Sequence, residues 1–328
     1  MNFLVTGAAG YIGSHFIAEV LGSNNKVIGI DNFSNSTIDQ IEILKKINER
    51  DFKFYQCDIL DSKNLAQIFR LNPIDIVVHF AALKSIPESN NNKEKYFLNN
   101  VDGTRNILKA MIDNDIKNII FSSSAAVYGN SSVQPVNEKC ETLPQSFYAE
   151  TKKICEETII SEAKKKSIKA MILRYFNPIG FDSSIYKITE RLYSEQSLIS
   201  NIIGVINGKK DFFQIYGGDY NTKDGTAERD FIHINDLIRA HTITAKYFEN
   251  INSYEIFNVG TGRSVSVKEF VTKFSTINKI NIPIKITKKR QGDLEISFTD
   301  TKKIQNKLSF KPTRSLDLMC KDSFKLFN

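Results

Sequence analysis

Three residue types at fixed spacing carry the first chemical suggestion. In FSSSAAVYG, Phe121 to Gly129, an apolar run ends in Ser122, Ser123 and Ser124, and further on PQSFYAETK sets Tyr148 four residues ahead of Lys152. On a helix that spacing puts phenol and ammonium on one face. A free phenol titrates near 10, and bringing it close to neutrality takes roughly 4 kcal/mol of preferential phenolate stabilisation. A lysine ammonium and a second positive group held beside the phenol could together supply that in a dry cleft. Ser124 would hold a substrate hydroxyl or relay its proton. Taken alone, a tyrosine and lysine at helical spacing are more often surface decoration, so the reading depends on what precedes them.

What precedes them is a dinucleotide fingerprint. VTGAAGYIGS places Gly7, Gly10 and Gly13 where a first strand meets a first helix. There the glycines allow a tight turn, backbone approach to a pyrophosphate and close packing of helix on strand. The helix N-terminus adds amide donors and a positive dipole for phosphate. Asp31 ends the second apolar run, eighteen residues after Gly13. An acid there accepts from both hydroxyls of an adenosine ribose and repels a 2'-phosphate, which selects NAD over NADP. Capping of the following turn is the plainer role for Asp31. Asp58, ending the third run, is an adenine contact or a loop cap.

These residues need a scaffold that brings strand ends together. NFLVTG, KVIGID, FKFYQCD, IDIVVHFAA and IKNIIFSSS read as strands buried on both faces. Helical stretches separate them: Ile12 to Leu21, Thr37 to Arg50, Ser62 to Arg70 and Lys93 to Asn114. The alternation predicts an α/β fold, a Rossmann-type doubly wound parallel sheet. A helix from Tyr148 to Lys166 and a strand IKAMILRYFN follow, then a loop-rich tract from Pro178 to Ser194. Beyond it lie a helix near Gln196 to Asn207, strand FFQIYG, helix Asn235 to Phe248, strand YEIFNVG and a helix near Val267 to Ser275. This half reads as a smaller α/β domain that the chain enters more than once. With no low-complexity linker, the two parts should pack rather than swing.

The bulk numbers exclude several classes. At 328 residues, 41% hydrophobic and 25% charged, the chain is an ordinary globular protein, long enough for two connected domains. A net charge of +7 could suggest nucleic acid, yet acids are interleaved with the lysines and the one tight cluster is Lys164 to Lys166. Cys57, Cys140, Cys155 and Cys320 form neither a CxxC pair nor a His-rich spacing, so no metal site or disulfide framework is expected. No apolar run approaches a membrane span, and MNFLVTGAAG lacks the form of a signal peptide. A cytoplasmic protein with no nucleic-acid or membrane partner is the expectation.

The motifs TGAAGYIGS, DNFSNS, HFAALKSIPES, FSSSAAVYG, YAETK, LRYFNPIG, DGTAERDFIH and RQGDL run in order through nearly the whole chain. Together they resemble the extended short-chain dehydrogenase/reductase family, nearest to its UDP-hexose 4-epimerase branch. The resemblance implies a bound NAD that removes hydride from C4 of a UDP-hexose while Tyr148 takes the 4-hydroxyl proton. The sugar then turns over and hydride returns to its opposite face. It assigns catalysis to Ser124, Tyr148 and Lys152. It assigns cofactor contacts to Gly7, Gly10, Tyr11, Ile12, Gly13, Asp31, Asn32, Asn35, Ser36, Asp58, Ile59, Phe80, Ala81, Lys84, Asn99, Ser122 and Tyr175, with Tyr148 and Lys152 shared. Substrate contacts fall to Lys84, Ser124, Tyr148, Asn177, Ser197, Leu198, Gln214, Tyr216, Arg229, Arg290, Asp293 and Ser297. It divides the chain into an NAD-binding part, 1–175, and a mainly UDP-sugar-binding part, 176–328, with segments near 230–260 returning to the first. A homodimer formed through the helices Lys93 to Asn114 and Tyr148 to Lys166 is implied as well.

Two departures narrow this reading. Where the family carries Asn-Asn before a leucine, this chain has Gln196 and Ser197 before Leu198, which weakens a diphosphate contact. Ser297 stands where galactose-restricted relatives carry a bulky tyrosine, leaving room for a 2-acetamido group. Dehydratases and decarboxylases of the fold carry acids after the strand-end serine, but Ala125 and Ala126 stand there. The alternatives are another nucleotide-sugar oxidoreductase or dehydratase, or a dinucleotide-sensing regulator without turnover; the regulator would be expected to show degenerate catalytic residues.

Overall fold

A computed structural model of the chain describes residues 1–182, 197–290 and 293–325. Its first half alternates strand and helix: β1 (Asn2–Thr6), α1 (Tyr11–Leu21), β2 (Lys26–Asp31), α2 (Ile38–Ile47), β3 (Phe52–Gln56), α3 (Ser62–Leu71) and β4 (Ile76–His79). A short α4 (Ile86–Asn91), absent from the sequence expectation, leads into α5 (Lys93–Tyr96), a π-helical turn (Phe97–Asp102) and α6 (Gly103–Asp113). Then come β5 (Asn118–Ser124), α7 (Phe147–Lys164) and β6 (Lys169–Tyr175). All pairings of the main sheet are parallel, in the order β3-β2-β1-β4-β5-β6, with a seventh strand added beside β6.

The order reverses between β1 and β4, so the crevice above their carboxyl ends is where such a sheet takes its ligand. Strands β1, β4, β5 and β6 bury both faces. On β1, Phe3 and Val5 join one apolar cluster while Leu4 joins the other. The edge strand β3 departs from the expected two-sided burial, because only Phe52 of its five residues is buried.

The expected strand IKAMILRYFN breaks after Tyr175. The chain switches sheets there, as Phe176 N–H donates to the Val259 carbonyl and Asn177 N–H to that of Asp230. A new strand, β7 (Asn177–Ile179), pairs with a segment much later in the chain. Pro178 lacks a ladder donor, which suits a short peripheral strand better than a continued central one.

The remaining elements are α8 (Leu198–Ile206), β8 (Phe213–Tyr216), β9 (Glu228–Arg229), β10 (Phe231–His233), α9 (Ile234–Ala245), β11 (Tyr254–Val259), β12 (Val265–Ser266), α10 (Val267–Asn278), β13 (Ile284–Thr287), β14 (Ile296–Ser297), α11 (Lys302–Leu308) and α12 (Leu316–Phe324). Strand β11 is the seventh member of the main sheet, and α9 packs against α1. Two small sheets, β8 with β13 and β12-β9-β14, stand above the strand ends together with the β7–β10 pair. The apolar cluster under α1 continues without a break into Ile199, Phe213, Phe231 and Phe270, so the two halves share one core. Residues 183–196, including most of the expected loop tract and Gln196, lie outside the described part.

Candidate active site

The turn between β1 and α1 is built so that a ligand's backbone-sized group can sit on it. Gly7 has φ of +68°, and a Cβ there would lie 2.9 Å from the Ala81 nitrogen. A Cβ on Gly13 would come within 2.1 Å of the Gly7 carbonyl oxygen. Helix α1 starts behind Gly10, which offers no side-chain cap, and has no acid in its first turn. By contrast, Asp61, Ser146, Ser266 and Ser315 cap α3, α7, α10 and α12 with their side chains. The start of α1 thus carries neither a side-chain cap nor an acid that would compete with an anion, as a dinucleotide pyrophosphate requires. The Tyr11 hydroxyl donates to the Gly180 carbonyl at 2.6 Å, which fixes the start of α1 against the loop after β7. Ile12 packs on the core.

A cleft opens beside this turn, lined among others by Gly7, Asp31, Asn32, Asn35, Ile59, Ala81 and Asn99. Seven expected cofactor residues therefore meet in one place. Ser34, Cys57 and Leu83 also line it and are not among the expected cofactor residues. The Asp31 carboxylate accepts from Ala9 N–H at 3.0 Å, Phe33 N–H at 2.8 Å and Ser36 Oγ at 2.9 Å. Ser36 therefore orients the acid. Asp58 turns to Asn32 Nδ2 and Leu60 N–H, both at 2.8 Å, and so holds the loop and the Asn32 side chain. Both plainer roles, turn cap and loop cap, are present in the geometry. The chemistry of the set fits NAD.

Deeper in the crevice, Phe80 and Tyr175 meet a residue that has no sequence signal. His241, on α9, lies against the Phe80 and Tyr175 rings. Its Nδ1–H donates to the Leu237 carbonyl at 2.8 Å, which leaves Nε2 to accept from the Tyr175 hydroxyl. Burial pushes this imidazole down to about 4, so it stays neutral. Asn100 is a second unsignalled residue. Its amide exchanges hydrogen bonds with both backbone groups of Leu83 and donates to Thr151 Oγ1 at 3.0 Å, tying the loop after β4 to α7. Lys84 stands exposed on that loop.

Helix α7 is docked by its first turn. Phe147 and Tyr148 N–H donate to Asn90 Oδ1 and Ser89 Oγ of α4, each at 3.0 Å, and Ser146 caps Ala149 N–H. This brings Tyr148 against the end of β5, where the three serines divide the work. The Ser122 carbonyl accepts from Lys152 Nζ at 2.7 Å. Ser123 Oγ donates to the carboxylate of Glu156. Ser124 Oγ accepts from Ala126 N–H at 3.2 Å, which leaves its own proton for the Tyr148 oxygen beside it. Desolvation pushes the Tyr148 phenol up to about 12, with the Ser124 hydroxyl offsetting part of the rise. Desolvation lowers the Lys152 ammonium to about 8. Burial therefore dominates the phenol within the chain itself, and the expected acidification needs the positive nicotinamide ring together with Lys152.

The expected substrate residues come from scattered positions. Gln214 and Tyr216 alternate along β8, and Gln214 Nε2 donates to Thr287 Oγ1 at 3.0 Å. The Arg290 guanidinium lies 4.1 Å above the Tyr216 ring. Arg290 Nε reaches Asp293 at 3.1 Å, and Arg229 reaches the same carboxylate at 3.7 Å. Two guanidiniums sharing one carboxylate leave positive charge for a diphosphate. Asn177 begins β7, and Ser297 pairs in register with Arg229. Ser197 spends its hydroxyl capping α8 through Ser200 N–H at 3.1 Å, and Leu198 opens that helix against the core. The Ser197 hydroxyl is therefore engaged as the cap of α8. The described residues contain no group of three or more possible metal ligands.

Residues 3–260 match the family model described as the NAD dependent epimerase/dehydratase family. The chain belongs to that family. It is 36% identical to a UDP-glucose 4-epimerase of Pasteurella multocida, over 99% of this chain and 96% of that protein. Among solved structures it is similar to a UDP-glucose 4-epimerase from Stenotrophomonas maltophila with bound NAD and formylated UDP-arabinopyranose, with TM-score 0.95, 35% identity and coverage of 99% and 97% of the two chains. It is also similar to the UDP-Glc/GlcNAc 4-epimerase of Campylobacter jejuni, with TM-score 0.85, 33% identity and coverage of 99% and 98%. Family motifs could locate the turn, the acid and the tyrosine; they could not find His241 or Asn100, whose roles exist only once α9 and the π-helical turn are docked.

Proposed function

We propose that this protein is an NAD-dependent epimerase that inverts C4 of UDP-hexoses, interconverting UDP-galactose and UDP-glucose, with Ser124, Tyr148 and Lys152 as its reacting group. The observation that carries the reading is the convergence of Ser124 and Tyr148 at the carboxyl end of β5, with Lys152 anchored on Ser122, in the same parallel sheet whose β1 and β2 lead to Gly7 and Asp31. Bound NAD supplies the hydride acceptor and donor, and its positive ring supplies charge beside the phenol. Tyr148, as phenolate, would accept the proton of the 4-hydroxyl and return it to the same oxygen once the sugar has turned. Ser124 donates to the reacting oxygens, and the Lys152 ammonium favours the phenolate. Arg229 and Arg290 hold the diphosphate and Tyr216 flanks the uracil, so the nucleotide stays fixed while the sugar turns.

A second reading concerns the sugar. Ser297 is small, and its strand is fixed on both sides: Gln134 Nε2 donates to the Ile296 carbonyl at 3.1 Å, and Asp230 N–H donates to that of Ser297 at 3.1 Å. A rigid strand with a small side chain favours acceptance of UDP-N-acetylglucosamine and UDP-N-acetylgalactosamine, the substrate class named for the Campylobacter protein's glucosamine form. The enzyme acts in the cytoplasm, where its four free cysteines stay reduced, and as a homodimer through α5–α6 and α7, a face that exposes Leu98 and Ile112. Turnover of a panel of plain and N-acetylated UDP-hexoses by the purified protein tests both readings. Interconversion at C4 without added reductant supports the first; oxidation or dehydration products would overturn it.

A further inference from the structure

The middle serine of the strand leads away from the reacting group into a buried charge pair. Glu156 Oε1 accepts from Ser123 Oγ and from Arg174 Nε at 3.0 Å, and Oε2 accepts from Arg174 Nη2 at 2.6 Å. Arg174 Nη1 donates to Tyr128 Oη at 2.9 Å, and the guanidinium also lies 4.8 Å over the Tyr128 ring. Tyr128 donates in turn to Asn258 Oδ1 at 2.7 Å, and Asn258 Nδ2 reaches the Val136 carbonyl at 3.2 Å. Ser123, Tyr128, Glu156, Arg174 and Asn258 are all buried.

Each of these residues sits next to a part of the site. Glu156 is one turn beyond Lys152 on α7. Ser123 lies between the serine whose carbonyl holds Lys152 and the serine that faces Tyr148. Arg174 precedes Tyr175 on β6, Tyr128 closes the 3-10 turn that Ser124 opens, and Asn258 lies on β11. A buried ion pair is a poor way to add stability, since well-packed apolar side chains of equal volume do as well or better. What a forked, bidentate pair adds is a fixed distance and angle between the elements it joins.

We propose that the Glu156–Arg174 pair is a positioning device for the reaction, setting α7 against β5 so that Lys152 and Tyr148 meet Ser122 and Ser124, and supplying the negative charge that keeps Lys152 an ammonium. The proposal rests on the reading of Ser124, Tyr148 and Lys152 as the reacting group. The groups around Lys152 leave Glu156 as its counter-charge. On α7 stand the Tyr148 phenol and the Cys155 thiol, both pushed up by desolvation and so neutral. From β4 comes His79, neutral because burial lowers it to about 3. From β5 come the Ser122 carbonyl and the Phe121 ring, 4.8 Å from Nζ. From β6 come Tyr175, raised by desolvation and also neutral, and Arg174, itself engaged by Glu156. Glu156 raises the Lys152 value against the larger effect of desolvation, and a Cys155 held as the neutral thiol adds no charge to it.

Glu156→Gln in the purified, NAD-loaded protein tests this, with UDP-galactose as substrate. The expected result is kcat lower by about 10- to 100-fold at a KM within about threefold of the original, with the alkaline limb of kcat shifted to lower pH as Lys152 loses its counter-charge. A kcat at the original level, or a fall in kcat and Tm with the alkaline limb unmoved, overturns the proposal. Should that variant fail to fold, Ser123→Ala removes one contact and no charge; a kcat reduced by about threefold or more at unchanged KM upholds the proposal, and full kcat overturns it. Tyr148→Phe is measured alongside. If that variant turns over normally the underlying reading is what fails, whereas an inactive Tyr148→Phe beside a fully active Glu156→Gln sinks the positioning role alone.

Discussion

The two ends of the crevice are made in different ways. The cofactor end is a short continuous stretch of chain, from Gly7 to Asp31, plus strand ends held by a seven-stranded sheet. The proposed nucleotide-sugar end would take Asn177, Tyr216, Arg229 and Ser297 from three small sheets and Arg290 from the loop after β13. Local backbone constraint dominates the first, and long-range side-chain placement the second. Substitutions at the cofactor end should therefore affect binding of NAD and the chemical step together, while those at the other end should separate grip from chemistry.

Four changes probe that contrast. Lys152→Met removes the ammonium beside Tyr148 and should lower kcat by about 10²- to 10⁴-fold, read in a steady-state epimerase assay. Gly13→Ala forces a methyl onto the Gly7 carbonyl, 2.1 Å away. That should cost roughly 1–3 kcal/mol of stability and weaken NAD binding, seen as a lower Tm and cofactor lost on gel filtration. Arg229→Met should raise KM for UDP-galactose by about 10- to 100-fold, the worth of a charged hydrogen bond, with kcat within a few-fold; an equal fall in kcat would break the contrast. Ser297→Tyr should lower kcat/KM for UDP-N-acetylglucosamine about tenfold or more relative to UDP-glucose, a pocket-filling effect.

The pH profile sharpens the cofactor end further. Lys152, lowered to about 8 by desolvation, must carry its proton to favour phenolate. Activity that depends on it is present below that value and is lost as pH rises through it. A kcat profile flat to pH values well above about 8 would remove Lys152 from the reaction.

How much was legible in the sequence follows the same division. The alternation of apolar runs and amphipathic helices gave the parallel sheet, because strands such as β5 must bury both faces and so read as unbroken Ile and Phe runs. Gly7, Asp31 and Tyr148 could be read because each sits at a strand or helix end whose position the pattern fixes. The break after Tyr175, β9, β12 and β14 could not, since two- and three-residue strands carry no periodicity. Nor could the division of labour among Ser122, Ser123 and Ser124: three identical side chains differ only in which element packs against each. Ser197 shows the converse, since a position marked for substrate spends its hydroxyl as a helix cap.

The claim on which the account depends is that the Tyr148 oxygen carries the proton of the sugar's 4-hydroxyl. Rates of UDP-galactose conversion by Tyr148→Phe, with NAD content and UDP affinity measured on the same sample, test it directly. The account predicts turnover reduced by about 10³-fold with both ligands still bound; epimerisation at the original rate would contradict it.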